Sequence, residues 1–305
     1  MAVTAALIKE LREITGAGMS DCKKVLVEAD GNLEKAIELL REKGLAAAAK
    51  KAGRIASEGL TYTLIEGDNG VIVEVNSETD FVAKNKEFTT YVDQVAKQVI
   101  ASNAKTIDEL MAEKWNADDS VTVEEALSQK IAIIGEKLTI RRFEKFTRSE
   151  NSVLISYIHA GGKVSVMLEL VSPLSNDAVL EAGKNISMQI AAMSPRFVTR
   201  DEVPGDFIEK EKEILTQQAL AEGKPANIVE KMIVGRLNKS LKEMCLVDQE
   251  YVKDSDMTIA QYVASVAKEV GEDVSIKRFV RFETGEGIEK KEENFADEVN
   301  KVIQG

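Results

Sequence analysis

Three groups of residues in this sequence have the types and spacing to do chemistry. The first is Thr79-Asp80-Phe81-Val82, within Glu74-Val-Asn-Ser-Glu-Thr-Asp-Phe-Val-Ala-Lys84. An oxygen on Thr79 or Asp80 can accept the first free amides of a helix expected over Val82–Ala101. Phe81 then has two readings. It staples that helix to a sheet, or it points outward as a wedge, because exposed aromatics at loop tips are frequent binding hot spots. The second is the single imidazole, His159, at the end of a strand before Gly161-Gly162. A lone histidine is usually a satisfied structural residue, and general acid–base work needs a placed partner and a deep polar pocket. The third is the pair Lys23 and Lys24, read either as solvated charge or as a contact for an acidic or polar partner surface.

Other chemistries lack their residues. No GxxxxGK[ST] cradles a phosphate, and no GxSxG or HExxH occurs. Cys22 and Cys245 lie far apart, and one histidine cannot complete a zinc site with them. Acidic pairs such as Asp118-Asp119 and Glu124-Glu125 read as solvated faces. A net charge of −12 argues against a nucleic-acid surface. That charge is uneven: residues 1–55 carry ten Lys/Arg and eight Asp/Glu. A mildly basic head on an acidic body suits docking onto another protein. The N-terminus does not read as a signal peptide, and no apolar run approaches a membrane span. Two thiols read as reduced point to the cytosol.

The elements that must position these groups predict an α+β protein. Residues 1–55 read as a three-helix head of the ubiquitin-associated type with a linker. Leu7, Leu11 and Ile14 form the first buried face, and the second helix starts at Ser20 or Asp21. Leu33, Ala36, Ile37 and Leu40 form the third face, which Gly44 stops. Residues 56–150, and 151–205 with 242–284, read as two duplicated subdomains. Each has a three-stranded antiparallel sheet covered by helices. The duplication shows in Gly135-Glu-Lys-Leu-Thr-Ile-Arg-Arg-Phe-Glu-Lys-Phe146 and Gly271-Glu-Asp-Val-Ser-Ile-Lys-Arg-Phe-Val-Arg-Phe282, identical at six of twelve positions. Each copy is preceded by a strand–turn–strand pattern, Leu60–Val75 and Val153–Leu170. Residues 206–241 read as an inserted antiparallel helical hairpin with a heptad-like seam turning at Gly223-Lys-Pro225. Residues 285–305 read as a C-terminal module. Its short amphipathic helix through Phe295, Val299, Val302 and Ile303 either docks at home or reaches a partner.

The segments Leu11-Arg-Glu-Ile-Thr-Gly-Ala-Gly-Met-Ser-Asp-Cys-Lys-Lys-Val-Leu26 and Glu74–Lys84 make the chain resemble the bacterial elongation factor Ts family, from about Leu7 to Ile303. The resemblance implies a guanine-nucleotide exchange factor that is not an enzyme and needs no cofactor. Its partner would be elongation factor Tu, GDP-bound or nucleotide-free, in the cytoplasm. It implies that Thr79, Asp80, Phe81 and Val82 intrude beside the partner's nucleotide site and displace its magnesium ion. The head, with Lys23, would contact a helix of the partner's nucleotide domain. Ile134, Gly135 and His159 carry over as further contacts, although Gly135 also reads as a plain turn that Gly271 repeats. The inserted hairpin resembles the family's dimerisation element, through which not every member dimerises. The competing reading is an adaptor whose head binds another helix or a ubiquitin-like partner.

Overall fold

The structure, a computed structural model, describes residues 3–222 and 226–289. Helices and small antiparallel sheets make it α+β. By contacts, the described residues of Met1–Tyr62, Val73–Phe143 and Glu283–Gly305 form one compact unit. Those of Thr63–Ile72 and Glu144–Phe282 form the other.

The chain opens with α1 (Ala5–Thr15), α2 (Met19–Glu28) and α3 (Leu33–Lys51). Ile8, Leu11, Cys22, Val25, Leu26, Ala29 and Ala36 are buried together among them. Three expectations fail here. Ile14 is 56% exposed, because Ile8 and Leu11 carry the buried face of α1. Helix α2 starts at Met19 with Gly18 as its N-cap, rather than at Ser20 or Asp21. Gly44 does not stop α3. It is buried inside the helix, where an added Cβ would stand 3.4 Å from the carbonyl oxygen of Ser128. The run Leu45-Ala-Ala-Ala-Ala49 consists of the strongest helix formers, and a tertiary contact outweighs one glycine's propensity cost of about 1 kcal/mol.

The hairpin β1 (Glu58–Glu66) and β2 (Asn69–Ser77) follows, then α4 (Asp80–Ala83) and α5 (Lys86–Ala101). The single helix expected over Val82–Ala101 is thus two. Asn85 breaks it by capping α5, its Oδ1 accepting the N–H of Glu87 at 2.8 Å. Next come α6 (Ile107–Ala112), β3 (Lys114–Trp115), β4 (Asp118–Thr122), α7 (Val123–Ile134) and β5 (Thr139–Thr147), which completes a sheet of order β1-β2-β5. Ser128 and Gln129, the neighbours of Gly44, belong to α7.

Strands β6 (Ser152–His159) and β7 (Val164–Val171) pair antiparallel from Ser152↔Val171 to His159↔Val164. Helix α8 (Asp177–Met193) leads into the hairpin of α9 (Gly205–Ala221) and α10 (Ala226–Met244). The seam is partial: Leu215, Ala219, Val229 and Leu241 are buried, while Ile214, Leu220 and Val234 are more than half exposed. The turn 223–225 and the tail with Phe295, Val299, Val302 and Ile303 lie outside the described residues. Then β8 (Glu250–Tyr251), β9 (Asp254–Thr258), α11 (Ile259–Val270) and β10 (Ser275–Glu283) give a second sheet of order β10-β7-β6. Ile155, Val166, Leu168 and Leu170 pack on Val179, Ile186 and Ile190 of α8 and on Ile259 and Val263 of α11. Met167 and Leu154 pack instead with Ile72, Phe146 and Phe282. Strand β7 is therefore buried on both faces, and its one charge, Glu169, must be paired.

Candidate functional site

Thr79 ends the chain's exit from β2. Its Oγ1 accepts the N–H of Val82 at 3.3 Å, which caps α4. Asp80 is the first helical residue rather than the cap, and Lys84 Nζ reaches its carboxylate at 2.6 Å. Phe81 is 81% exposed, the most exposed large apolar side chain among the described residues. It staples nothing. Val82 is half-buried and Ala83 buried, so one turn of helix anchors on one side and offers the ring on the other.

The other copy also caps a helix after its second strand, but there the helix is the 17-residue α8 rather than a single turn. Asn176 accepts the N–H of Val179 at 3.1 Å as Thr79 does that of Val82, and Asp177 follows as Asp80 does. Counted from the cap, Ala178 has the place that Phe81 has after Thr79.

Behind the turn lies a residue not singled out from sequence. Glu136 Oε2 accepts the backbone N–H groups of Glu78 at 3.1 Å and Thr79 at 3.0 Å. Its Oε1 accepts the Thr79 hydroxyl at 2.7 Å. Glu78 returns the gesture, its Oε1 accepting the N–H of Lys137 at 2.6 Å and Arg54 Nη1 at 3.2 Å. Lys137 Nζ donates to the carbonyls of Ala52 and Arg54 at 2.7 and 2.8 Å. Two sequence-distant segments, 78–82 and 134–137, are thereby locked together. The only sequence signal for Glu136 was its place in the repeat, and Glu272, its counterpart, is exposed.

The remaining candidates divide. Ile134, half-buried, is the last residue of α7, and Gly135 caps it with φ 86° and an N–H to Ile131 O bond of 2.9 Å. Gly271 caps α11 in the same way, at φ 74°. The turn reading of Gly135 is thus met, and the glycine also delivers Glu136 to Thr79. Lys23 is exposed on α2. His159 is exposed at the end of β6, its Nδ1 paired with the Tyr157 hydroxyl at 2.9 Å. No group of histidine, cysteine and carboxylate side chains among the described residues could hold a metal ion. No helix of the described residues is long and apolar enough to cross a membrane.

Comparison with known proteins gives one family. The family model for elongation factor Ts matches residues 78–286. Elongation factor Ts of Clostridioides difficile (strain 630) is 54% identical over 304 residues, covering 99% of each chain. The proteins of that name from Clostridium botulinum (strain Alaska E43 / Type E3) and Clostridium kluyveri are also 54% identical, with 99% of each chain covered.

Proposed function

The chain belongs to the elongation factor Ts family of translation elongation factors, and we propose that it drives guanine-nucleotide exchange on elongation factor Tu in the cytoplasm. The observation that carries this reading is Phe81, which is solvent-exposed on the single turn of helix that Thr79 caps.

In this reading Thr79–Val82 enters beside the partner's nucleotide site, and the phenyl ring displaces groups that hold magnesium. That ion neutralises much of the diphosphate charge, so its loss lets GDP leave. The work is done by binding, not by making bonds. Factor and nucleotide oppose each other reciprocally: whatever weakens GDP when the factor is bound weakens the factor when GDP is bound. Each tenfold gain in release needs about 1.4 kcal/mol of preferential stabilisation. One side chain does not supply several such steps, so Lys23 on the head, Ile134, Gly135 and His159 are assigned as supporting contacts. The two α+β repeats extend that surface. The α9–α10 hairpin, with Ile214, Leu220 and Val234 exposed, is assigned to pairing of two copies.

The exposed position of His159 supports a contact role rather than a general base. A pure adaptor would leave the presentation of Phe81 without a purpose. The deciding measurement is stopped-flow release of fluorescent GDP from elongation factor Tu. Strong acceleration by the native chain, largely lost in folded Phe81→Ala, is expected. Acceleration that survives the substitution would move the mechanism to the other contacts. No acceleration at micromolar concentrations would overturn exchange in favour of the adaptor.

A further inference from the structure

Resting on that reading, we infer that Glu136 is the positioning residue for Phe81: its carboxylate sets the direction of the wedge without touching the partner's nucleotide. Three bonds converge on it, from the N–H of Glu78, the N–H of Thr79 and the Thr79 hydroxyl. Two of these amides lie immediately before α4, where the backbone direction of the Phe81 turn is decided. Charge-assisted bonds of this kind are about twice as strong as neutral ones. The same Thr79 hydroxyl that donates to Glu136 accepts from Val82. Glu136 therefore acts on both sides of Phe81, on the entry peptide directly and on the helical turn through Thr79.

The support is itself supported. Glu136 follows the left-handed cap Gly135, and Lys137 after it is held by Glu78 and by the Ala52 and Arg54 carbonyls. The carboxylate is fixed at its backbone before it fixes anything else. Phe81, by contrast, is 81% exposed and has no packing of its own to orient it. A side chain that must act at a set point, yet packs on nothing, takes its aim from its backbone. Glu272, the counterpart of Glu136 in the second repeat, is exposed.

The test is a double-mutant cycle on full-length protein with GDP release from elongation factor Tu. Glu136→Ala is expected to lower the maximal release rate at saturating factor at least tenfold, since a displacement of ~1 Å costs up to about 10²-fold. The half-saturating concentration is expected to change little, because the other contacts remain. Glu136→Gln, which keeps one acceptor oxygen and the side-chain length, should recover part of the rate. In a Phe81→Ala background Glu136→Ala should cost nothing further, because its effect passes through the ring. Amide hydrogen exchange at Glu78 and Thr79 in the free protein should accelerate in Glu136→Ala while global stability holds.

An unchanged maximal rate in Glu136→Ala, or an equal loss with and without Phe81, overturns the positioning role and leaves exchange intact. A native chain that does not accelerate release overturns both. A loss of rate explained by unfolding would show as lost exchange protection throughout the protein, with Glu136→Gln unable to rescue, and would also overturn the role.

Discussion

Arg278 donates from Nε to Glu169 Oε2 at 2.6 Å, placing a guanidinium against a carboxylate wholly buried in β7. Arg142 makes the equivalent bond to Glu74 at 2.5 Å. The two arginines occupy matching positions of the repeated segment, so each sheet closes on its own buried charge pair. Neither pair has a place in the proposed exchange mechanism. Both bear on stability.

Glu169 makes stability depend on acid. Burial alone would raise its pKa. The Ser152 hydroxyl at 2.7 Å, the Ser149 N–H at 2.8 Å and Arg278 outweigh that and pull it down to about 2, from 4.5. A carboxyl depressed on folding contributes stability that is present above its unfolded pKa and fades as pH falls toward the folded one. The contribution should be complete above about pH 4.5 and vanish near pH 2, and it is of the order of 3 kcal/mol. Glu74 shifts in the same direction. Urea denaturation across that window should show a steeper acid loss for the native protein than for Glu169→Gln; parallel curves would contradict this.

Glu74→Ala should destabilise by about 3 kcal/mol, the lower end for breaking a buried pair. It takes the carboxylate from Arg141 Nη1 at 2.9 Å, from Arg142, from the Asn76 amide and from the N–H of Gly285, while Arg142 keeps Glu286 at 3.0 Å and Asn76 keeps the Glu58 carbonyl at 3.1 Å. Both arginines keep partial access to water, which limits the penalty. Glu74→Gln should lose less. Equilibrium unfolding in urea measures both, and a change below about 1 kcal/mol in the alanine variant would refute the assignment.

Phe81→Ala should leave unfolding free energy within about 0.5 kcal/mol of native, as expected for an exposed side chain. Its effect belongs to binding. Calorimetric melting decides this, and a Tm fall of several degrees would show that the ring holds the fold.

Two glycines of similar φ should respond differently to alanine. Gly135 has open space around an added Cβ, so Gly135→Ala should cost only the left-handed backbone penalty of roughly 1 kcal/mol. At Gly285, φ 73°, the added atom would stand 2.1 Å from the Ser57 carbonyl oxygen. Gly285→Ala must move backbone and should cost more than about 2 kcal/mol. Equal losses for the two variants would argue against the close approach at Ser57.

What sequence could supply was periodic or repeated. The hairpins β1–β2 and β6–β7, the third strands β5 and β10, and the caps at Gly135 and Gly271 all carry alternation, turn residues or internal identity. The short pairs β3–β4 and β8–β9 escaped, since one strand of each has only two residues and holds no period. Gly44 was misread because its environment, the backbone of α7, is supplied by residues more than eighty positions away. Phe81 could be singled out as a type at a turn, but whether it faced core or water depended on packing. Glu136 was invisible as a site because its three partners lie far along the chain, in Glu78 and Thr79.

Helix α3 has a consequence for how the protein meets proteases. It runs unbroken for 19 residues past Gly44 to Lys51, roughly 28 Å at the standard rise. The following carbonyls of Ala52 and Arg54 are held by Lys137. A tryptic enzyme seeking the join after the head meets Lys50 and Lys51 inside the helix and Arg54 exposed in the bend beyond it. Helical backbone does not fit the extended groove of such an enzyme, so the first cut is expected at Arg54 and not at the two lysines.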